Sequence, residues 1–121
     1  MEQAKLDKIL ENHKLWLKTN GEQGERANLR YANLRYADLR YADLRDADLD
    51  YSAFPLWCGG LDVHIDDKQA TQLLYHLIRN VKYSKNTSKA LKKICRIKSL
   101  INQANKFHRV NECGEIRSDA E

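Results

Sequence analysis

The sequence predicts a mixed β/α fold in which a short, wound repeat segment is flanked by amphipathic helices. The chain repeats every five residues from Ala27 to Leu56, a period that belongs neither to an α-helix nor to a flat strand. Apolar residues follow the helical three-four spacing before and after that segment. With 121 residues, the chain has the length of a single compact domain.

The repeat segment consists of six consecutive pentapeptides with a small first residue and Leu or Phe in third place; the first five have Asn or Asp in second place, and the sixth is degenerate. They read ANLRY, ANLRY, ADLRY, ADLRD, ADLDY and SAFPL. Side chains of Asn and Asp suit tight corners because they bond to neighbouring backbone groups. This pattern resembles the pentapeptide-repeat proteins. The resemblance implies a right-handed quadrilateral β-helix of about one and a half coils, with five residues on each side, and it implies a non-enzymatic protein.

Stacked coils would place residues twenty apart directly above one another, at the ~4.8 Å spacing of paired strands. This register predicts an ion pair between Arg30 and Asp50 and a stack of Tyr31 on Tyr51. So short a coil exposes two apolar ends, and the flanking helices are predicted to cap them.

The N-terminal flank predicts one capping helix with its connection, over residues 1–26. Leu6, Leu10 and Leu17 fall on one helical face, and Asn20 with Gly21 is typical of a helix C-terminus. His13 lies on the same face. We interpret it as a partly buried, hydrogen-bonded histidine rather than a functional site.

After the repeat coil of residues 27–56, the sequence predicts a turn, a short strand and a helical hairpin over residues 57–116. Leu61, Val63 and Ile65 alternate with polar residues as a strand does. One helix is predicted from Asp66 or Asp67 to Val81, and a second from Leu91 to Phe107. Residues 107–114 are either a binding loop or a strap, and residues 117–121 are predicted to be a disordered tail.

Positive charge is concentrated on the C-terminal side of the repeat in the sequence. No acidic residue lies between Asp67 and Glu112, where eleven lysines and arginines occur. Such a stretch creates a positive field that favours nucleic acid, nucleotide phosphates or an acidic protein; the alternative is a solubilising surface. The candidate basic surface consists of Lys82, Lys85, Lys89, Lys92, Lys93 and Arg96.

The repeat offers a second candidate surface, in which arginines and tyrosines suit protein contacts. The candidate partner-binding residues are Arg30, Tyr31, Arg35, Tyr36, Arg40, Tyr41 and Arg45. Because successive pentapeptides occupy successive sides, one flat partner would meet only some of them. The alternative interpretation is that these side chains surround the coil and contact only solvent.

The sequence shows no catalytic constellation and implies no cofactor. Cys58, His64, His108 and Cys113 match no zinc spacing, so no metal site is predicted, although the sequence leaves open whether the four meet. No apolar run is long enough to cross a membrane. The odd number of cysteines and the lack of a secretory leader predict reduced thiols in a cytoplasm.

Short, helix-capped pentapeptide coils resemble proteins of phages and mobile elements. That resemblance implies a stoichiometric inhibitor of a bacterial host factor, such as a CRISPR effector or another nucleic-acid-handling complex. We therefore expect a cytoplasmic, homodimeric protein-binding module that is not an enzyme. The alternative is a nucleic-acid or nucleotide binder that uses the basic C-terminal helices.

Overall fold

The computed structural model describes residues 1–118. The chain divides into two compact units, Met1–Asp66 and Asp67–Glu121. The boundaries drawn from the sequence, and the single domain that they compose, stay predictions. Residues 119–121, most of the predicted disordered tail, lie outside the described residues.

The regular structure of both units is helical. The helices are α1 (Gln3–Lys18), a 3-10 helix (Cys58–Gly60), α2 (Asp67–Tyr83), α3 (Lys89–Lys92), a second 3-10 helix (Lys93–Arg96), α4 (Lys98–Ala104) and α5 (Val110–Cys113). The helix predicted within residues 1–26 is confirmed and spans Gln3–Lys18. The helix predicted from Asp66 or Asp67 to Val81 is also confirmed and spans Asp67–Tyr83. Gly21, at φ +88°, ends α1 as predicted, with its N–H donating to the Trp16 carbonyl at 2.8 Å.

Each of the first five pentapeptides contains a tight corner. The Asn or Asp side chain accepts the N–H of the residue two positions on, as Asn28 does from Arg30 at 3.1 Å. The N–H of the next repeat's first residue then donates to the leucine carbonyl, as Ala32 does to Leu29 at 3.1 Å. The corner residues Tyr31, Tyr41, Asp46 and Tyr51 have positive φ. The predicted role of Asn and Asp in tight corners is confirmed.

The predicted right-handed quadrilateral β-helix is wrong, since residues 1–118 contain no β-strand and no sheet. The backbone does rise by one layer about every twenty residues. However, the layers meet only at isolated parallel bridges, which pair Asn28 with Asp48, Asn33 with Ala53 and Asp43 with His64. The corners explain why the bridges stay isolated. The two turns in each repeat bind backbone groups that a strand ladder would otherwise use for hydrogen bonds. The predicted strand at residues 61–65 is likewise reduced to the bridge at His64.

The core of the first unit is a column of leucines with small residues around it. Leu29, Leu34, Leu39 and Leu44 are fully buried, and Leu6 of α1 packs into the same cluster. His13 is fully buried beside them. Its Nδ1 accepts the Ala27 N–H at 3.0 Å, and its Nε2 lies 2.7 Å from the Arg45 carbonyl oxygen. The predicted hydrogen bonding of His13 is confirmed, but the residue is fully rather than partly buried.

The second unit packs α2 against a chain of short helices. Tyr75 and Ile78 of α2 are buried with Cys95, Ala104 and Phe107. The predicted continuous helix from Leu91 to Phe107 is wrong, because Ile97 is extended at φ −88° and ψ 98°. Like charges recur here at four-residue spacing with no acid between them, which disfavours a long helix. The predicted two-helix hairpin is therefore replaced by α2 followed by these shorter segments.

Candidate protein-binding surface

Three of the four repeat arginines are held by carboxylates of the same unit. Arg30 lies 3.2 Å from Asp48 and 3.6 Å from Asp50, which confirms the ion pair that the register predicts. Arg40 pairs with Asp38 at 2.7 Å, and Arg45 pairs with Asp43 at 2.6 Å. Side-chain and backbone hydrogen bonds from Arg40 lower the pKa of Asp38 to about 2.

Arg35 differs from the other three because no carboxylate of the described residues pairs with it. Its own repeat carries Asn33 where the next two repeats carry Asp, and the register places it above Pro55 rather than an acid. Within residues 1–118 the guanidinium has no ion pair; it lies over the Tyr36 ring, 5.1 Å from the centroid. The exposed Arg35 therefore retains a charge that no carboxylate of residues 1–118 neutralises.

Trp57 stands beside Arg35 in a fixed orientation. Its indole N–H donates to the Ala37 carbonyl at 2.9 Å, and its ring lies so close to Gly59 that a Cβ there would be 2.2 Å from Trp57 Cζ2. The guanidinium of Arg40 also lies over the Trp57 ring, 5.9 Å from its centroid. Even so, 46% of Trp57 is exposed. The side chain is thus both accessible and ordered.

Arg35, Tyr36, Leu56 and Trp57 line one shallow cleft of about 410 Å³. We call these four residues the Trp57 surface. Tyr36 is 82% exposed and Leu56 is 97% exposed. Large apolar side chains that contact water in this way gain free energy when a partner covers them, about 1.5 to 3 kcal/mol for a leucine.

The tyrosines at the other repeat corners lie outside the Trp57 surface. Tyr31 stacks on Tyr51 with ring centroids 4.9 Å apart, which confirms that prediction, and Arg30 covers both rings. Tyr41 lines a separate cleft beside α1 with Lys14 and several carboxylates. The seven predicted partner-binding residues therefore do not form one surface. Which of them bind a partner stays a prediction.

Two residues of the predicted basic surface of the second unit have structural contacts. Lys92 Nζ donates to the carbonyls of Val81 at 3.0 Å and Ser84 at 2.6 Å, where α2 ends. Lys82 donates to the Arg117 carbonyl. The remaining members, Lys85, Lys89, Lys93 and Arg96, are exposed and have no hydrogen-bonding or ion-pair partner in the described part of the unit. Their role as a binding surface stays a prediction.

Contacts typical of a strap hold Gly114, the last residue of the segment 107–114, and Ile116 just beyond it. Tyr75 donates its hydroxyl to the Gly114 carbonyl at 2.6 Å, and the side chain of Asn105 exchanges two hydrogen bonds of 2.8 Å with the backbone of Ile116. In residues 1–118, no three His, Cys, Asp or Glu side chains come together as metal ligands would. No described helix is both long and apolar enough to span a membrane.

The repeat corners, with aromatic and cationic side chains displayed on a packed leucine column, define a protein-interaction module. A family model described as "Pentapeptide repeats (8 copies)" matches residues 25–54. Residues 25–54 are accordingly a pentapeptide-repeat segment, and proteins with such repeats are generally non-enzymatic structural or interaction modules. Neither a search of curated proteins nor one of solved structures found a match.

Sequence reasoning missed Leu56 and Trp57, and it did not separate Arg35 from the other arginines. The signal for Arg35 was present, since the twenty-residue register pairs it with Pro55. Leu56 follows Tyr36 by the same interval. Trp57, in contrast, stands outside the repeats, and its position depends on the 3-10 helix at Cys58–Gly60 that no repeat pattern indicates.

Proposed function

We propose that the chain is a stoichiometric inhibitor of a bacterial host protein, and that the Trp57 surface is its principal contact. The unneutralised Arg35 beside exposed aromatic and aliphatic side chains is the observation that carries this proposal. Tyr, Trp and Arg are the residues that dominate binding energy at protein interfaces. A partner that presents a carboxylate next to an apolar side chain would fit this surface.

Order within the Trp57 surface supports tight binding. Trp57 is held by its hydrogen bond to Ala37 and by packing on Gly59 before any partner arrives. The immobilisation of a free side chain costs about 0.5 to 1.5 kcal/mol on association, and a fixed anchor avoids most of that loss. Inhibition by coverage of the target's working surface also requires no catalytic group on this chain.

The kind of target rests on the resemblance to proteins of phages and mobile elements. We propose a nucleic-acid-handling host complex, such as a CRISPR effector, as the target in a bacterial cytoplasm. We also propose that the inhibitor is a homodimer. Sedimentation equilibrium tests the dimer, since a species of the protomer mass of 14.1 kDa at micromolar concentration would contradict it.

The direct experiment is affinity capture from nuclease-treated bacterial lysate with the tagged chain, followed by mass spectrometry. A stoichiometric protein partner is expected. The variant Y36S/L56D should lose it, because removal of two interface anchors worth about 2 kcal/mol each weakens binding roughly 1000-fold. The matched control Y41S/L61D changes the same residue types one corner further on and should retain the partner. Capture of no stoichiometric protein, or full retention by Y36S/L56D, contradicts the proposal.

A charge test separates Arg35 from the other arginines. In Asn33→Asp the new carboxylate should bind Arg35 as Asp38 binds Arg40, so the partner loses its access to the guanidinium. Affinity should fall about tenfold or more, because one charged hydrogen-bonded contact contributes about 1.5 to 3 kcal/mol. The matched control Asn28→Asp adds a carboxylate beside Arg30, which already has two, and should leave affinity unchanged. Equal effects of both changes would contradict the assigned role of Arg35.

A further inference from the structure

We infer that the second unit binds single-stranded nucleic acid through a cation row formed by Lys89, Lys93 and Arg96, with Tyr83 as a stacking platform. This function is separate from the proposed inhibition, which uses the first unit. It follows from the spacing of the cation row, the lack of neighbouring carboxylates among residues 1–118 and the exposure of Tyr83.

The cation row is regular because of the local helix geometry. Lys89 and Lys93 are four residues apart across α3, so they share one helix face. From Lys93 to Arg96 the backbone is a 3-10 helix, in which residues three apart eclipse each other. From Lys89 to Lys93, four residues at the α-helical rise advance about 6 Å along the helix axis. From Lys93 to Arg96, three residues at the 3-10 rise advance about the same distance. Phosphates of an extended strand follow one another at a comparable interval.

No carboxylate of the described residues neutralises the cation row. The sequence contains no acid from residue 68 to residue 111, and the three side chains are exposed. The neighbouring Lys92 does not belong to the row, because its ammonium group caps the end of α2. The row thus consists of cations that make no ion pair or hydrogen bond within residues 1–118, with Lys92 fixing the helix that carries them.

Tyr83 supplies the feature that distinguishes a single strand from a generic anion. It is 63% exposed at the end of α2, next to the carbonyls that Lys92 binds. Arg79 lies 5.3 Å and Lys82 5.9 Å from the centroid of its ring, so the ring sits among cations. A base stacked on such a ring, with its phosphates on nearby lysines, is the usual arrangement of single-strand binding. An acidic protein would make no comparable use of the ring.

The test measures fluorescence anisotropy of a labelled twenty-nucleotide oligothymidylate with the full chain. Affinity should fall steeply with salt, and the variant K89E/K93E/R96E should bind at least tenfold more weakly. If three phosphates are contacted, their share of the fall between 50 and 200 mM salt is about 20-fold. The control K5E/K8E/K18E changes the net charge equally, at exposed lysines of α1, and should bind as the wild type does.

Two further measurements complete the test. Tyr83→Leu should weaken binding at least fivefold, since stacking on an aromatic ring contributes about 1 to 3 kcal/mol per base, whereas Tyr83→Phe should bind normally. Duplex DNA of the same length should bind less tightly than the single strand. Equal loss in the two triple variants, normal binding by Tyr83→Leu, or tighter binding of duplex or of polyglutamate would each overturn the inference.

Discussion

Replacement of His13 tests whether one buried imidazole joins α1 to the repeat segment. In His13→Leu the Ala27 N–H and the Arg45 carbonyl both lose their partner. The N–H is buried, and its loss should cost about 2 to 3 kcal/mol; the part-buried carbonyl can regain water and should cost about 1 kcal/mol. Leucine recovers some apolar burial, so we expect a net destabilisation of about 3 kcal/mol.

Urea unfolding followed by tryptophan fluorescence measures this loss selectively. Both tryptophans of the chain, Trp16 and Trp57, lie in the first unit, so the signal reports on that unit alone. His13→Asn retains an acceptor for the more buried Ala27 N–H, whereas His13→Gln retains a donor for Arg45. Stability should therefore decrease in the order His, Asn, Gln, Leu. A leucine variant within about 0.5 kcal/mol of the wild type would refute the reasoning.

Three other predictions follow from single contacts. Gly59→Ala should destabilise the first unit by about 1 to 3 kcal/mol and shift the Trp57 indole N–H resonance, because the new Cβ would lie 2.7 Å from the Ala37 carbonyl oxygen. Lys92→Met should lower the second unit's stability by about 1 to 3 kcal/mol in thermal unfolding, while Lys89→Met changes it by less than about 0.5 kcal/mol. Arg40→Gln should raise the pKa of Asp38 from about 2 towards its ordinary value, measured by NMR titration. A lowered carboxyl pKa stabilises the fold above the unfolded pKa, and that contribution is lost as pH falls towards 2.

The sequence predicts the contacts of the repeat better than its secondary structure. The five-residue spacing, combined with the four-sided coil that the resemblance implies, places Arg30 beside Asp50 and Tyr31 on Tyr51, because both contacts follow from one twenty-residue register. The error about strands has a local cause. Each Asn or Asp side chain and each leucine carbonyl takes a backbone N–H for a turn, which leaves single bridges instead of a ladder.

In the second unit, the apolar pattern predicts which residues are buried but not where the helix breaks. Ile101, Ala104 and Phe107 are buried, as their spacing indicates. The break at Ile97 leaves that pattern intact, so periodicity carries no sign of it. The structural role of Lys92 could not be predicted from the sequence either, because a lysine that caps α2 has the same sequence context as one that faces a ligand.

Both proposed surfaces carry cations that no carboxylate of residues 1–118 neutralises, yet their surroundings indicate different partners. Arg35 is a lone charge among Tyr36, Leu56 and Trp57, so a partner must bury apolar area to reach it, and that requirement favours a protein. Lys89, Lys93 and Arg96 form a row of charges, and the exposed ring of Tyr83 adjoins Ser84, to which Lys92 of α3 donates; this favours a repeating polyanion. Because the surfaces lie in different units, the Asn33→Asp change and the reversal of the cation row should act independently. Salt dependence distinguishes the two, since counterion release scales with the number of phosphates contacted and a single charged pair contributes little to it.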